Sequence, residues 1–164
     1  MRIAVLTVSD SRTLADDSSG DYLQSALIES GHSVFQRALL ADNIYALRAR
    51  VSEWIADSDC HAILITGGTG FTGRDSTPEA IAPLLDKEMP GFGELFRTIS
   101  FEEIGTSALQ SRAFAGLANG TFIVALPGST SACRTAWSKI IRAQLDETTR
   151  PCNLADLRGR FFER

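Results

Sequence analysis

The chain has 164 residues, 44% hydrophobic and 22% charged; that composition supports a core of its own and excludes a disordered tail, a collagen-like repeat and a small disulfide scaffold. Sixteen Lys and Arg against twenty Asp and Glu give a net charge of −4, which lends nothing to a nucleic-acid binder working by counterion release. Cys60, Cys133 and Cys152 are widely spaced with no CxxC, which argues against a zinc site and fits reduced thiols. No stretch approaches the ~18 apolar residues of a membrane span, and the first apolar run is too short for a signal peptide. The expected location is cytoplasmic.

Ile3–Val8 is a short, β-branched apolar run and reads as a buried strand. Polar residues from Ser9 to Ser18 mark a loop, with Asp16 and Asp17 as a solvated face. Ser18 is the expected cap of a helix carrying Leu23, Ala26 and Leu27 on one side and ending at Gly31. Ser33–Leu40 reads as a second strand. Asp42 is the expected cap of a helix from Asn43 to about Asp57, where Ile44, Leu47, Val51, Trp54 and Ile55 fall at helical spacing. Ala62–Thr66 is apolar throughout, as a strand covered on both faces should be. It runs into Gly67-Gly68-Thr69-Gly70. Thr77 reads as a cap with Pro78 at the first helical position.

Pro90-Gly91 breaks the chain before a helix over Phe92–Phe101. Ser111–Ala118 and Thr121–Leu126 read as strands joined at Asn119-Gly120, a hairpin signal. Ser129 caps a long helix that buries Ala132, Cys133, Ala136, Trp137, Ile140 and Ile141. Asp146–Arg164 is polar and reads as a surface tail of one domain spanning 1–164. Strands alternating with helices predict an α/β domain with a parallel sheet. Ligands of such sheets sit beyond the carboxyl ends of the strands. The loops at Ser9–Arg12, Gly67–Asp75 and Pro127–Ser131 all follow strands and should gather on that edge.

Gly67-Gly68-Thr69-Gly70 reads either as a tight turn or as a loop whose amides hold an anion. It matches neither the dinucleotide nor the P-loop fingerprint. Asp75 either stabilises the turn before its helix or holds a divalent cation against phosphate, as magnesium sites do. Asp42 and Asp10 follow strands and carry the same two readings. Ser9, Ser107, Ser111 and Ser129 are candidate donors to an anion or a heterocycle. Arg12, Arg74, Arg97, Arg112 and Arg134 lie in or near these loops. His32 and His61 precede strands, at the opposite end of the sheet, so no histidine base is on offer. Transfer between phosphates needs none, because the nucleophile is already ionised.

Taken in order, Thr7-Val8-Ser9-Asp10-Ser11-Arg12, Asp16-Asp17-Ser18-Ser19-Gly20, Leu64–Gly70, Arg74–Ala80, Pro90–Glu94, Phe101–Ser107, Ser111-Arg112-Ala113 and Pro127-Gly128-Ser129 resemble the MoaB/MogA family of molybdenum cofactor biosynthesis proteins. The GTSA, LQSRA and GSTxACRTAW stretches and the TRPCN segment resemble its MoaB branch. The resemblance implies a three-layer α/β/α fold with a mostly parallel sheet. It also implies a molybdopterin-binding protein that assembles as a homotrimer or homohexamer, with no nucleic-acid or membrane partner. The implied activity is magnesium-dependent adenylylation of molybdopterin by ATP, which gives adenylyl-molybdopterin and pyrophosphate. The alternative is a non-catalytic binder of molybdopterin or a precursor. By resemblance Asp42 and Asp75 are the catalytic and Mg2+-holding residues. Ser9, Asp10, Thr66, Gly67, Gly68, Thr69, Gly70, Ser107, Ser111, Arg112, Pro127, Gly128 and Ser129 line the pocket. Ser76 stands where valine is common in the family.

Overall fold

The computed structural model describes residues 1–161 and residue 163. Six strands form one sheet: β1 (Arg2–Val8), β2 (Ser33–Leu40), β3 (Ala62–Thr66), β4 (Lys87–Glu88), β5 (Phe114–Ala118) and β6 (Thr121–Leu126). Their order is β2-β1-β3-β6-β5-β4. The first four in that order are mutually parallel, while β5 runs antiparallel to β6 and β4 antiparallel to β5. The helices are α1 (Ser18–Glu29), α2 (Ile44–Ala56), α3 (Thr77–Ile81), α4 (Pro90–Ile104), α5 (Thr130–Ala136), α6 (Arg142–Leu145) and α7 (Leu154–Leu157), with a π-helical turn at Trp137–Ile141 joining α5 to α6. No described helix is long and apolar enough to cross a membrane.

The period-2 alternation of side chains along a strand divides the interior into two cores. Ile3, Val5, Leu64, Val124 and Leu126 pack on one face with Leu23 and Leu27 of α1, Phe92 and Phe96 of α4, and Cys133, Ala136 and Trp137 of the last long helix. Ala4, Leu6, Ile63, Ile65, Ile123 and Ala125 pack on the other with Leu47, Val51 and Trp54 of α2 and Ala80 and Ile81 of α3. This is the expected three-layer α/β/α arrangement. It also explains why β1, β3 and β6 are apolar without alternation: both faces are covered.

Several elements differ from their sequence reading. Asp17, not Ser18, caps α1, accepting from the Gly20 amide. Asn43, not Asp42, caps α2, accepting from the Tyr45 and Ala46 amides. Ser76, not Thr77, holds the cap position of α3, without a side-chain cap bond. In each case two adjacent residues could cap, and the neighbour's side chain has a tertiary partner instead. Ser129 does cap α5, accepting from the Ala132 amide. Helix α4 runs longer than expected, because Pro90 enters its first turn instead of breaking it. The strand expected from Ser111 begins at Phe114, after a 3-10 segment over Gly105–Gln110. Strand β4 is only two residues long and has no sequence signal. The tail is not wholly superficial: Asn153 is buried and Leu154 packs against the core. Phe162 and Arg164, the rest of that tail, lie outside the described residues.

Register sets the functional edge. Thr7 pairs with Thr66, Thr66 with Leu126, and Val8 with Leu40. The four parallel strands therefore end level, and the segments beginning at Ser9, Ala41, Gly67 and Pro127 leave from one rim. The chain turns outward from β1 to β2 and then crosses back to β3. The strand order thus reverses between β1 and β3, the usual place for a ligand crevice.

Candidate functional site

Beyond that reversal point lies a cleft of about 600 Å³. Its floor is loop backbone at the strand ends: Ser9, Gly67, Gly68, Thr69, Gly70, Pro127, Gly128 and Ser129. Its walls are Phe96, Ser100 and Ile104 of α4, Ser107, Ala108, Gln110 and Ser111 of the following segment, and Ala132 of α5. Asp75 and Arg12 are its charged lining residues.

The glycines are fixed by close approach. Gly67 and Gly68 have φ of 107° and 63°, a region that side chains rarely adopt. A Cβ on Gly67 would collide with the Val8 carbonyl. One on Gly68 would lie 2.5 Å from Asp42 Oδ2, and one on Gly70 2.8 Å from Asp75 Oδ2. Both carboxylates are thus packed directly against the glycine loop.

Asp42 Oδ1 and Oδ2 lie 3.2 and 3.3 Å from the Ser76 amide nitrogen, and the Ser76 hydroxyl donates to Oδ1 in a very short bond. The Asp42 carboxylate therefore sits at the peptide that joins Asp75 to Ser76. The Asp42 amide donates to Asp10 Oδ1 at 2.9 Å, so Asp10 braces Asp42. Asp75 Oδ2 accepts from the Thr72 amide at 2.8 Å and the Thr72 hydroxyl at 2.6 Å. Partial burial alone would raise Asp75; the Thr72 bonds, the Gly70 amide and the Arg112 charge outweigh it and hold the carboxyl below its ordinary range.

The sequence-derived site residues divide into those that reach the cleft and those that support it. Asp75, Ser9, Gly67, Gly68, Thr69, Gly70, Ser107, Ser111, Pro127, Gly128 and Ser129 line it. Asp42, Asp10, Thr66 and Arg112 do not. Asp42 stands behind Gly68. Thr66 is fully buried, and its hydroxyl donates to the Pro127 carbonyl at 2.9 Å. Arg112 donates from Nε to the Gly70 carbonyl at 2.7 Å and from Nη2 to the Asp75 carbonyl at 2.8 Å, and pairs with Glu79 through Nη1. Its guanidinium thus braces the loop and α3 in this structure. The same Arg112 contact holds Glu79 below its ordinary range.

Asp17, read as solvated, is fully buried. Burial alone would raise it, but hydrogen bonds from Arg37, Thr7 and Gly20 hold it low. His32 and His61 precede β2 and β3, away from the cleft. The contributions of Phe96, Ser100, Ile104 and Ala132 were not legible as site residues. Ser100, a hydroxyl buried on an apolar helix face, was the available signal.

A family model described as "Probable molybdopterin binding domain" matches residues 4–147. The chain is 60% identical over 152 residues to Molybdenum cofactor biosynthesis protein B of Escherichia coli K12, covering 93% of this chain and 89% of that one. It is 42% identical over 151 residues to the protein of the same name from Bacillus subtilis, covering 92% and 89%. Among solved structures, a Molybdenum cofactor biosynthesis protein B superposes with a TM-score of 0.85 at 42% identity, covering 88% of this chain and 90% of that one. The tungsten cofactor synthesizing protein MoaB from Pyrococcus furiosus superposes with a TM-score of 0.77 at 34% identity, covering 85% and 89%.

Proposed function

The chain belongs to the MoaB/MogA family of molybdenum cofactor biosynthesis proteins, and from that premise we propose that its cleft binds molybdopterin and adenylylates it with ATP. The observation that supports this reading is the placement of two carboxylates, Asp42 and Asp75, at one peptide and against one glycine loop. In the proposed step an oxygen of the molybdopterin phosphate forms a bond to the α-phosphorus of ATP. The bond from that phosphorus to the bridging β-phosphate oxygen breaks, and pyrophosphate leaves.

The donor chemistry fits magnesium, a hard cation that takes one or two protein carboxylates and leaves its other positions to phosphate oxygens and water. Asp75, which lines the cleft, would hold it, joined by Asp42 from behind Gly68 on release of its carboxylate from Ser76. Among the described residues no group of three or more His, Cys, Asp or Glu could hold a metal on its own. When bound, magnesium supplies charge neutralisation at the phosphates. The chain's own part is positional. The Gly67–Gly70 backbone seats the phosphates. Arg112 fixes the Gly70 and Asp75 carbonyls and so the loop's shape. Thr72 keeps Asp75 ionised and aimed. Buried Phe96 makes one wall apolar.

The test is pyrophosphate release on mixing the chain with molybdopterin, magnesium and ATP. Release is expected, with Asp75→Ala and Asp42→Ala each slower on the order of a hundredfold or more, the scale of lost electrostatic stabilisation. Wild-type rates in both variants would refute the assignment. One observation favours the second reading, a binder without turnover: Ser76 already gives both its amide and its hydroxyl to Asp42. Tight molybdopterin binding with no pyrophosphate is its signature. We also propose assembly into trimers or hexamers through the face bearing exposed Leu95, Phe101, Ile104 and Leu109, measurable as mass by light scattering.

A further inference from the structure

Among the described residues lining the cleft, Arg12 is the only cation and Asp75 the only anion. They stand on different sides. Asp75 is tied to the Gly70 side, whereas Arg12 Nη1 donates to the Gly128 carbonyl at 3.2 Å and to Ser19 Oγ at 2.8 Å. The Arg12 side chain is about one-third exposed (32%). Nη1 is the one guanidinium nitrogen that donates to a described residue, so the Nε and Nη2 N–H groups are uncommitted to the protein. Together they form the parallel N–H pair that matches a phosphate or carboxylate.

The arginine is held from behind by charge that the cleft does not otherwise need. Ser19 Oγ donates to Asp17 Oδ1 at 3.3 Å, and Arg12 Nη1 lies 3.9 Å from the same oxygen. Asp17 is anchored in turn by Arg37 Nη2 at 2.8 Å, the Thr7 hydroxyl at 2.7 Å and the Gly20 amide at 3.0 Å. Arg37 leaves its Nε buried without a partner. Arg37 is partly exposed and also pairs with the exposed Asp21 through Nη1 at 2.6 Å, so it ties the fully buried Asp17 carboxylate to the surface of α1, which a local cap would not require. The arrangement makes sense as a fixed negative anchor that sets the direction of Arg12.

We infer that Arg12 is an anion-binding residue of the cleft. It takes a phosphate group of the guest that carries no metal, through its uncommitted Nε–Nη2 edge, and the buried Asp17, held in turn by Arg37, positions it. The inference rests on the cleft being the binding site, the premise of the proposed function, but not on adenylyl transfer taking place.

The experiment is calorimetric titration of the full chain with inorganic pyrophosphate in EDTA at low ionic strength. Without a divalent ion the Asp75 side repels the probe, so binding reads the Arg12 side. Wild type is expected to bind. Arg12→Gln should weaken binding at least tenfold, and Arg12→Lys, which keeps the charge and loses the fork, should fall between the two. Asp75→Asn should bind as tightly as wild type or tighter. Asp17→Asn should weaken binding too, while the Arg12→Gln/Asp17→Asn double variant binds no more weakly than Arg12→Gln alone, because the second residue acts through the first. Melting temperatures of all variants report the fold independently. Arg12→Gln binding as well as wild type, or no binding by wild type, overturns the inference. An additive further loss in the double variant overturns the positioning role. Pyrophosphate capture through Arg12 by a chain that does not turn over ATP and molybdopterin would uphold the inference and sink the adenylylation reading; turnover with Arg12→Gln binding unchanged would do the reverse.

Discussion

Gly68→Ala and Gly73→Ala place the same methyl group at two positions of one loop, with opposite expectations. At Gly68 the backbone φ is 63°, and the new Cβ would lie 2.5 Å from Asp42 Oδ2 and closer still to Thr77 Oγ1. The left-handed backbone costs an alanine roughly 1–2 kcal/mol, and forcing atoms into a packed site costs about 1–3 kcal/mol. The total is about 2–5 kcal/mol. Thr77 Oγ1 cannot retreat freely, since it donates to the Gly67 carbonyl at 2.8 Å. At Gly73 nothing lies within 4 Å of the new Cβ, and φ is outside the left-handed range. There alanine is neutral or stabilising by up to ~1 kcal/mol through the unfolded chain. Urea midpoints at constant m-value measure both. Gly68→Ala should also lose whatever pyrophosphate release the wild type has, because the clash displaces Asp42. Equal midpoints for the two variants would refute the close-approach argument for this loop.

Three further outcomes follow from named contacts. Asp17→Asn removes a buried carboxylate from Arg37, which keeps its pairing with the exposed Asp21 at 2.6 Å, and should cost roughly 1–3 kcal/mol by urea denaturation. Because the folded carboxyl is held low, its contribution is fully present above the ordinary aspartate pKa of about 3.9 and disappears as pH falls through the folded value. Wild type should therefore lose stability in acid more steeply than Asp17→Asn, and parallel acid curves would contradict this. Cys60 and Cys133 are buried, with thiols pushed by burial to about 12 and about 11, whereas Cys152 is exposed. A disulfide reagent at pH 8 should titrate one thiol in the native chain and three after unfolding. Ser76→Val removes the hydroxyl from Asp42 and should raise the rate of pyrophosphate release if that bond restrains the carboxylate; a slower variant would show that the hydroxyl positions it instead.

The layers and the rim were readable from the sequence because they rest on long-range patterning. Uninterrupted apolar strands such as Ala62–Thr66 are dictated by helices on both faces, and loops following parallel strands must share an edge. Adjacent choices were not readable. Asp17 against Ser18, and Asp42 against Asn43, are equal candidates by local chemistry; the decision falls to partners far along the chain, Arg37 and Ser76. Burial of Asp17 likewise depends on an arginine twenty residues away. Strand β4 is too short to carry a period, and its pairing with Leu117 and Gly116 comes from the neighbouring strand. An arginine near glycine-rich loops suits an anion, but nothing local reveals that Arg112 Nε and Nη2 donate to the Gly70 and Asp75 carbonyls while Nη1 pairs with Glu79 of α3.

The cleft is made of two unlike materials. Its floor is largely peptide backbone at Gly67, Gly68 and Gly128, where there is no side chain to exchange and where added carbon collides with the fold at the first two and fits only tightly at the third. The facing wall is side chain: Phe96, Ser100, Ile104 and Ser107. Variation among descendants of this sequence can therefore repaint the α4 wall of the cleft, while the backbone floor stays constant at a level single substitutions rarely reach.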